Sequence, residues 1–265
     1  MLFYDTHMHS HLSFDCFEDP VKYLTPDTKR ITFTEHLDLA NTANEGQDDI
    51  PDFKQMLAWQ EVFKQKYEVE LLMGVEVGYV LSHRTRLKQI LSEYEFDLVL
   101  LSVHQNDRYD YMDDTVEESA EVMIHAYLDQ LIQALDDMGD CQIMTHFDYG
   151  FRIHRLEEAD LLPYEPKLVQ ILEKCIEQGL AFELNSKSIF KYQNQFLYEW
   201  AIPKYQALGG TLFSLGSDAH QVSEHFQHFK ELIQLLETFN VKEIAQFRSK
   251  ELSLYPLDEL KKFFV

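Results

Sequence analysis

Tyr4-Asp5-Thr6-His7-Met8-His9-Ser10 stands near the start of the sequence, and Gly216-Ser217-Asp218-Ala219-His220 near its end. Residues two apart in an extended strand share a face. His7 and His9 therefore present two imidazoles side by side, and Asp218 and His220 a carboxylate beside an imidazole. Neutral imidazole and carboxylate are the donors that Zn, Mn and Fe accept. Outward from these two stretches, the same residue types close one apolar run after another. Asp15 follows the first run, His36 ends Thr34-Glu35-His36, and Glu76 ends Met73-Gly74-Val75-Glu76. His104 ends Leu101-Ser102-Val103-His104, and His146 ends Met144-Thr145-His146.

Apolar runs at 2–7, 30–35, 69–76, 97–103, 141–146, 180–185 and 211–217, with a possible eighth near 243–247, are expected as strands. Amphipathic stretches at 17–25, 51–67, 82–94, 115–138, 164–178, 194–208, 223–239 and 257–263 are expected as helices, so strand–helix units repeat along the chain. On this map nine candidate ligands fall at or just beyond the C-terminal ends of six strands. An open doubly wound sheet would place its site at one switch point, whereas a barrel gathers residues from many strand ends. The expected fold class is therefore an α/β barrel, and with no linker, repeat or shift of composition residues 1–265 read as one domain. Nine donors exceed the three or four that a tetrahedral zinc takes. They suit a multinuclear cluster, in which two metals roughly 3.5–4 Å apart clamp the attacking and leaving oxygens of an in-line displacement.

The chain has 265 residues, with 46 Asp and Glu against 23 Lys and Arg and a formal charge of −23. Such a charge repels nucleic acid and anionic membrane alike. A small phosphorylated substrate stays compatible with it, because divalent ions reverse the field locally. Cys16, Cys141 and Cys175 form no C-x-x-C pair, which argues against a disulfide framework or thiolate zinc site and for a reducing compartment. There is no apolar run near the roughly 20 residues that span a bilayer and no basic-then-apolar leader, so a soluble cytoplasmic protein is expected. His225 and His228, beside Glu224 and Gln227, read as a solvated helix face.

The motifs H-x-H-S, E-H, the lone Glu, S-V-H, T-H and G-S-D-A-H, in that order, resemble those of the PHP (polymerase and histidinol phosphatase) superfamily along nearly the whole chain. The resemblance implies a distorted, TIM-barrel-like (β/α)7 barrel with two or three divalent ions (Zn, Mn or Fe) in a trinuclear centre. It implies that His7, His9, Glu76 and Asp218 bind the first metal. Glu76 would bridge to a second, which His104 and His146 complete, and Asp15, His36 and His220 would hold a third. Many members have a His where this chain has Asp15.

The length resembles that of stand-alone histidinol-phosphate phosphatases rather than polymerase subunits. Phe182-Glu183-Leu184-Asn185-Ser186 is similar to their E-I-N-T-S segment, and Arg152, six residues after His146, matches an arginine used near phosphate. The implied activity is hydrolysis of L-histidinol phosphate to L-histidinol and phosphate, in histidine biosynthesis, by a hydroxide bridging two metals. Arg152 is the expected phosphate grip, a role suited to a guanidinium, with Asn185 and Lys187 as further substrate contacts and Asp218 or His220 near the leaving oxygen. The segment Lys187-Ser188-Ile189-Phe190-Lys191 departs from the family's G-L-R-K. Asp38, Glu45, Asp48 or Asp107 could pair with the substrate amine, and Tyr79, Phe147, Tyr149 or Phe190 could stack on its ring. The alternatives are another phosphate ester, namely a nucleotide, sugar phosphate or phosphotyrosine, or a metal-binding barrel without catalysis.

Overall fold

Seven strands make one sheet in the order β2-β1-β3-β4-β5-β6-β7 in the computed structural model, which describes residues 2–264. They are β1 (Arg30–Asn41), β2 (Gln47–Asp49), β3 (Glu70–Gly78), β4 (Leu98–Ser102), β5 (Ile143–Met144), β6 (Ala181–Asn185) and β7 (Phe213–Gly216). β1 and β3 to β7 run parallel in sequence order, and β2 is a short antiparallel addition to β1. Parallel strands covered on both faces read as nearly continuous apolar runs, which is why they were legible.

The expected first strand at 2–7 turns out to be the stave that closes the sheet into a barrel. On one side the Thr34 amide donates to the Met8 carbonyl (2.8 Å); on the other the Thr6 amide reaches Leu215 (3.3 Å), Asp218 reaches His7 (2.8 Å) and His9 reaches Ala219 (2.9 Å). Its pairing is too irregular to make a strand, and the buried Asp5 carboxylate explains part of this. It accepts the amides of His7 (3.2 Å) and Ser217 (3.0 Å), taking a donor that a regular ladder would use. With this stave between β1 and β7 there are seven parallel positions around the barrel.

The possible eighth strand lies outside that ring. β8 (Glu243–Arg248) pairs antiparallel with β9 (Glu251–Pro256). Ser249 and Lys250 join them with positive φ of 50° and 62°, the left-handed backbone that a two-residue hairpin turn requires. The hairpin seats on the N-terminal end of the barrel, where the amides of Ser249 and Lys250 bond Asp97 (2.8 Å each) and Gln246 Nε2 bonds the Tyr4 carbonyl (2.7 Å). Leu98, Leu100, Ile143 and Ala181 pack there with Ala245 and Phe247 as a separate apolar cluster. One end is thus plugged.

The helices are α1 (Phe53–Val62), α2 (Arg84–Ser92), α3 (Ala120–Asp137), α4 (Glu165–Glu177), α5 (Gln195–Ala207), α6 (Phe229–Thr238) and α7 (Leu257–Lys261). The helix expected over 17–25 shrinks to a 3-10 turn at Pro20–Tyr23, started by Asp19. The one expected from Thr115 begins at Ala120 behind the Ser119 cap, because Asp113 holds the Thr115 amide and hydroxyl (2.9 and 2.6 Å) in a competing turn. The stretch 223–239 starts in a 3-10 turn at Val222–Glu224 and becomes α-helical only from Phe229, so His225 and His228 share no helix face. Instead the His225 ring packs on Phe226 and Tyr23, and His228 stacks on Phe190. No helix among the described residues is long and apolar enough to cross a membrane.

Candidate metal centre

The open, C-terminal end of the barrel gathers all nine expected donors. Glu76, fully buried at the end of β3, sits at their middle. Its Oε2 lies 3.1 Å from His7 Nε2, 3.0 Å from His36 Nδ1 and 3.6 Å from His9 Nε2. Its Oε1 lies 2.7 Å from His146 Nε2 and 3.1 Å from His104 Nε2. Asp218 Oδ1 stands 3.7 Å from His9 Nε2 and 3.9 Å from His7 Nε2, its backbone held at φ 57°, a costly conformation for a residue with a side chain. Asp15 joins from the loop, 3.1 Å from His220 Nε2 and 3.7 Å from His36 Nε2.

These donors fit a cluster of divalent ions on their own chemistry. His7 Nε2, His9 Nε2, His36 Nδ1 and Glu76 Oε2 are buried without hydrogen-bond partners, an expensive state for polar atoms unless something binds them. Four overlapping trios have donor atoms within 4.8 Å of one another: His7-His9-Glu76, His7-His146-Asp218, His36-Glu76-His104 and His9-His36-His220.

The electrostatics follow from crowding imidazoles and carboxylates out of water. Burial opposes charge on His7, but Glu183, Glu76 and Asp218 outweigh it and raise its pKa well above the ordinary value. Burial, with His36 and His220 alongside, drives His9 well below. For His36 burial is overcome by Asp15 and Glu76, which lift it to about 9. Burial is likewise overcome at Glu76 by its ring of histidines and at Asp218 by Lys187 and His7, so both stay ionised far below the usual carboxylate range.

A second layer aims the rings. Glu183 Oε1 takes the far nitrogen of His7, Nδ1, at 2.7 Å, while its Oε2 accepts the His146 amide (2.8 Å). Asp38 does the same for His104 Nδ1 at 3.0 Å. Such contacts fix which nitrogen carries the proton and leave Nε2 free to bind. Both carboxylates depend on a facing glycine: a Cβ at Gly216 would fall 2.1 Å from Glu183 Oε1, and one at Gly78 would fall 1.7 Å from Asp38 Oδ1.

Above the centre opens a cleft of about 680 Å³. Its lining carries both signs of charge, among them Arg152, Lys187 and Lys191 and the acids Asp38, Asp110 and Asp113. The buried Arg152 guanidinium bonds Asp218 Oδ2 (3.2 Å) and Ser188 Oγ (2.7 Å) and lies over the Tyr149 and Tyr192 rings. Lys187 Nζ is 3.3 Å from Asp218 Oδ1 and 2.8 Å from His220 Nδ1. Asn185 does not line the cleft. Its amide donates to Glu183 (3.1 Å) and its oxygen accepts from Arg152 (3.3 Å) and the Ser188 amide (2.9 Å), so it braces Arg152 from behind.

Of the acids expected near an amine, Asp38 alone lines the cleft; Asp48 pairs with Arg86 and Asp107 with Ser82, while Glu45 is exposed. Of the aromatics, Tyr149 lines it, whereas Tyr79 and Phe147 are core and Phe190 is on His228. Asp110 and Asp113 escaped the sequence reading although they follow His104 in one short acidic loop; extending the strand-end rule by six residues would have reached Asp110. Its carboxyl, pushed up by burial, accepts the Tyr149 hydroxyl at 3.1 Å.

The PHP domain family model matches residues 5–187. The histidinol-phosphatase of Lactococcus lactis is 25% identical over 253 residues, covering 92% of this chain and 93% of the relative. A probable histidinol-phosphatase of Clostridium acetobutylicum is 25% identical over 262 residues, covering 95% and 99%. Among solved structures, the Lactococcus lactis histidinol phosphate phosphatase complexed with Zn, L-histidinol and phosphate superposes with a TM-score of 0.81 at 22% identity, covering 95% of this chain and 99% of that one. The putative histidinol phosphatase of Listeria monocytogenes gives 0.73 at 16% identity, covering 86% and 99%.

Proposed function

The chain belongs to the PHP domain family, and from that membership we propose that it is a metal-dependent phosphatase converting L-histidinol phosphate and water to L-histidinol and phosphate. The observation that carries the choice of substrate is the two-signed cleft over the imidazole–carboxylate centre. A phosphate ester with an amine at its far end is anionic at one end and cationic at the other, and the lining of the cleft offers partners for both, Arg152, Lys187 and Lys191 for the anion and Asp38, Asp110 and Asp113 for the cation. Nucleotides and sugar phosphates have no cation to offer these acids.

In this reading His7, His9, Glu76 and Asp218 hold one ion, Glu76 with His104 and His146 a second, and Asp15, His36 and His220 a third, the metals being Zn, Mn or Fe. When bound, such ions supply a hydroxide near neutral pH and positive charge for the phosphoryl oxygens. The residues of the chain then divide the remaining work. Arg152, over the Tyr149 and Tyr192 rings and anchored on Asp218, turns its remaining donors toward the phosphate. Lys187 adds a point charge on the same side. Asp218, kept ionised by burial-defeating cations around it, is an acceptor and ligand rather than an acid, which leaves the His220 side of the cleft to serve the leaving oxygen. Tyr149, whose hydroxyl bonds Asp110, lines the cleft where the imidazole of the substrate would lie. The acidic exterior sets the enzyme apart from nucleic-acid partners and suits work in the cytoplasm on a small solute.

The test is phosphate release from L-histidinol phosphate by protein purified with its metals retained, beside a nucleoside monophosphate and p-nitrophenyl phosphate. A kcat/KM for histidinol phosphate orders of magnitude above both is expected. Equal rates on all three would overturn the substrate assignment.

A further inference from the structure

Glu35 stands in the segment Thr34-Glu35-His36, next to a metal donor, yet the centre described above gives it no task. It is fully buried. Its carboxylate hydrogen-bonds the loop carrying His9: it accepts the Ser10 amide (3.1 Å), the Ser10 hydroxyl and the Ser13 hydroxyl (2.6 Å). Ser13 Oγ in turn accepts the His36 amide (3.0 Å) and lies 3.2 Å from His9 Nδ1.

Burial raises the pKa of the Glu35 carboxyl against the lowering hydrogen bonds of Ser10 and Ser13; with that carboxyl ionised, the proton count around Ser13 is closed. A serine hydroxyl has one proton and two lone pairs, and an ionised carboxylate can only accept. The single Ser13 proton goes to Glu35, and one lone pair takes the His36 amide. The other lone pair can meet His9 only as an acceptor, so His9 must carry its proton on Nδ1. That leaves Nε2 as a bare lone pair, and this is the atom left without a partner near Glu76 and Asp218.

We infer that Glu35 is a positioning residue that sets the ring tautomer of His9 through Ser13, so that Nε2 is free to bind metal before any metal arrives. His7 and His104 receive the same service directly from Glu183 and Asp38; His9 receives it through one hydroxyl. The inference deepens the reading of this centre as a metal site and concerns the protein with or without its ions.

The first experiment is nitrogen-15 NMR of histidine side chains in the metal-free wild-type protein, with His9 assigned by its loss in His9→Asn. A proton on Nδ1 is expected; a proton on Nε2 overturns the inference, and this readout needs neither substrate nor a destabilised variant. The second is a zinc-affinity cycle against a chromophoric chelator. Ser13→Ala and Glu35→Ala, each checked for folding by circular dichroism, should weaken zinc binding by about tenfold to a hundredfold, the range for outer-shell partners of metal-bound histidines. The double variant should lose no more than Glu35→Ala alone, since both act along one path. Ser10→Ala, which leaves the Ser13 bridge in place, should bind zinc as the wild type does. Additive losses in the double variant would overturn the relay. If wild-type protein fails to bind zinc at all, the proposed phosphatase falls, while the tautomer still decides the role of Glu35.

Discussion

The two ends of the barrel are built from the same strands and solve opposite problems. At the N-terminal end Leu98, Leu100, Ile143 and Ala181 meet Ala245 and Phe247 of the β8–β9 hairpin in an apolar cluster. At the C-terminal end, a few residues further along those strands, six histidines and three carboxylates crowd together, and several donor atoms are buried without partners. The lesson is a division of labour: the plug end supplies free energy of folding, and the rim end spends it on a polar cluster that becomes favourable once cations enter.

Breaking the rim should have the largest effect. His9→Asn or Asp218→Asn is expected to lower kcat/KM by about a thousandfold or more, the equivalent of ~4 kcal/mol of charge stabilisation. Metal content measured alongside should fall too; a His9→Asn protein that keeps full activity after metal depletion would sink the proposed mechanism. Breaking the plug should show the reverse signature. Phe247→Ala is expected to cost roughly 3 kcal/mol of stability through a cavity, visible in urea unfolding, with zinc affinity of the folded protein unchanged.

Smaller changes sharpen the contrast within the rim. Gly216→Ala drives a methyl into Glu183 and His7, and a loss of about tenfold to a hundredfold in zinc affinity is expected from the displaced second layer. Arg152→Ala removes charged hydrogen bonds worth about 1.5–3 kcal/mol, to be seen mainly as a raised KM for the phosphate ester with a smaller change in kcat. The last change concerns pH, at a residue outside the donor set. Burial lowers the pKa of His225 from 6.5 to about 4. Its unfolded form therefore binds a proton that the folded form refuses, and stability falls as pH drops from about 6.5 toward 4. The urea midpoint of His225→Leu should lose less over that window than that of the wild type.

The rim was legible in the sequence because most of its residues follow a positional rule: Glu76, His104, His146, Asp218 and His220 sit within four residues of the C-terminal end of a parallel strand, and parallel strands announce themselves as apolar runs. His36 departs from it, since β1 runs on past it to Asn41, and Asp15 joins from a loop. The plug was not legible, since 243–247 has the pattern of any buried strand and nothing local says that it turns back on 251–256 instead of joining the ring. The second layer was half visible: Asp38 and Glu183 lie in expected strands or just past them, but a buried carboxylate is told from a solvated one only by what the fold brings opposite it, here Gly78 and Gly216. Asn185 shows the opposite error, a polar residue in the right segment whose two ends are consumed by neighbours. Thr115 illustrates competition: a good helix cap by type, it is claimed by Asp113 first.

The stave at residues 6–9 has a consequence for the history of each molecule. Its partners lie some 212 residues further along, where the Ser217 amide meets Asp5. Contacts so distant in sequence form late, because the loop between them must first be ordered. His7 and His9 therefore wait, uncommitted, until Asp218 and His220 have been made. Before that point a nascent chain holds only fragments of the ligand set, so in the proposed metal centre loading follows the ordering of both segments rather than preceding it.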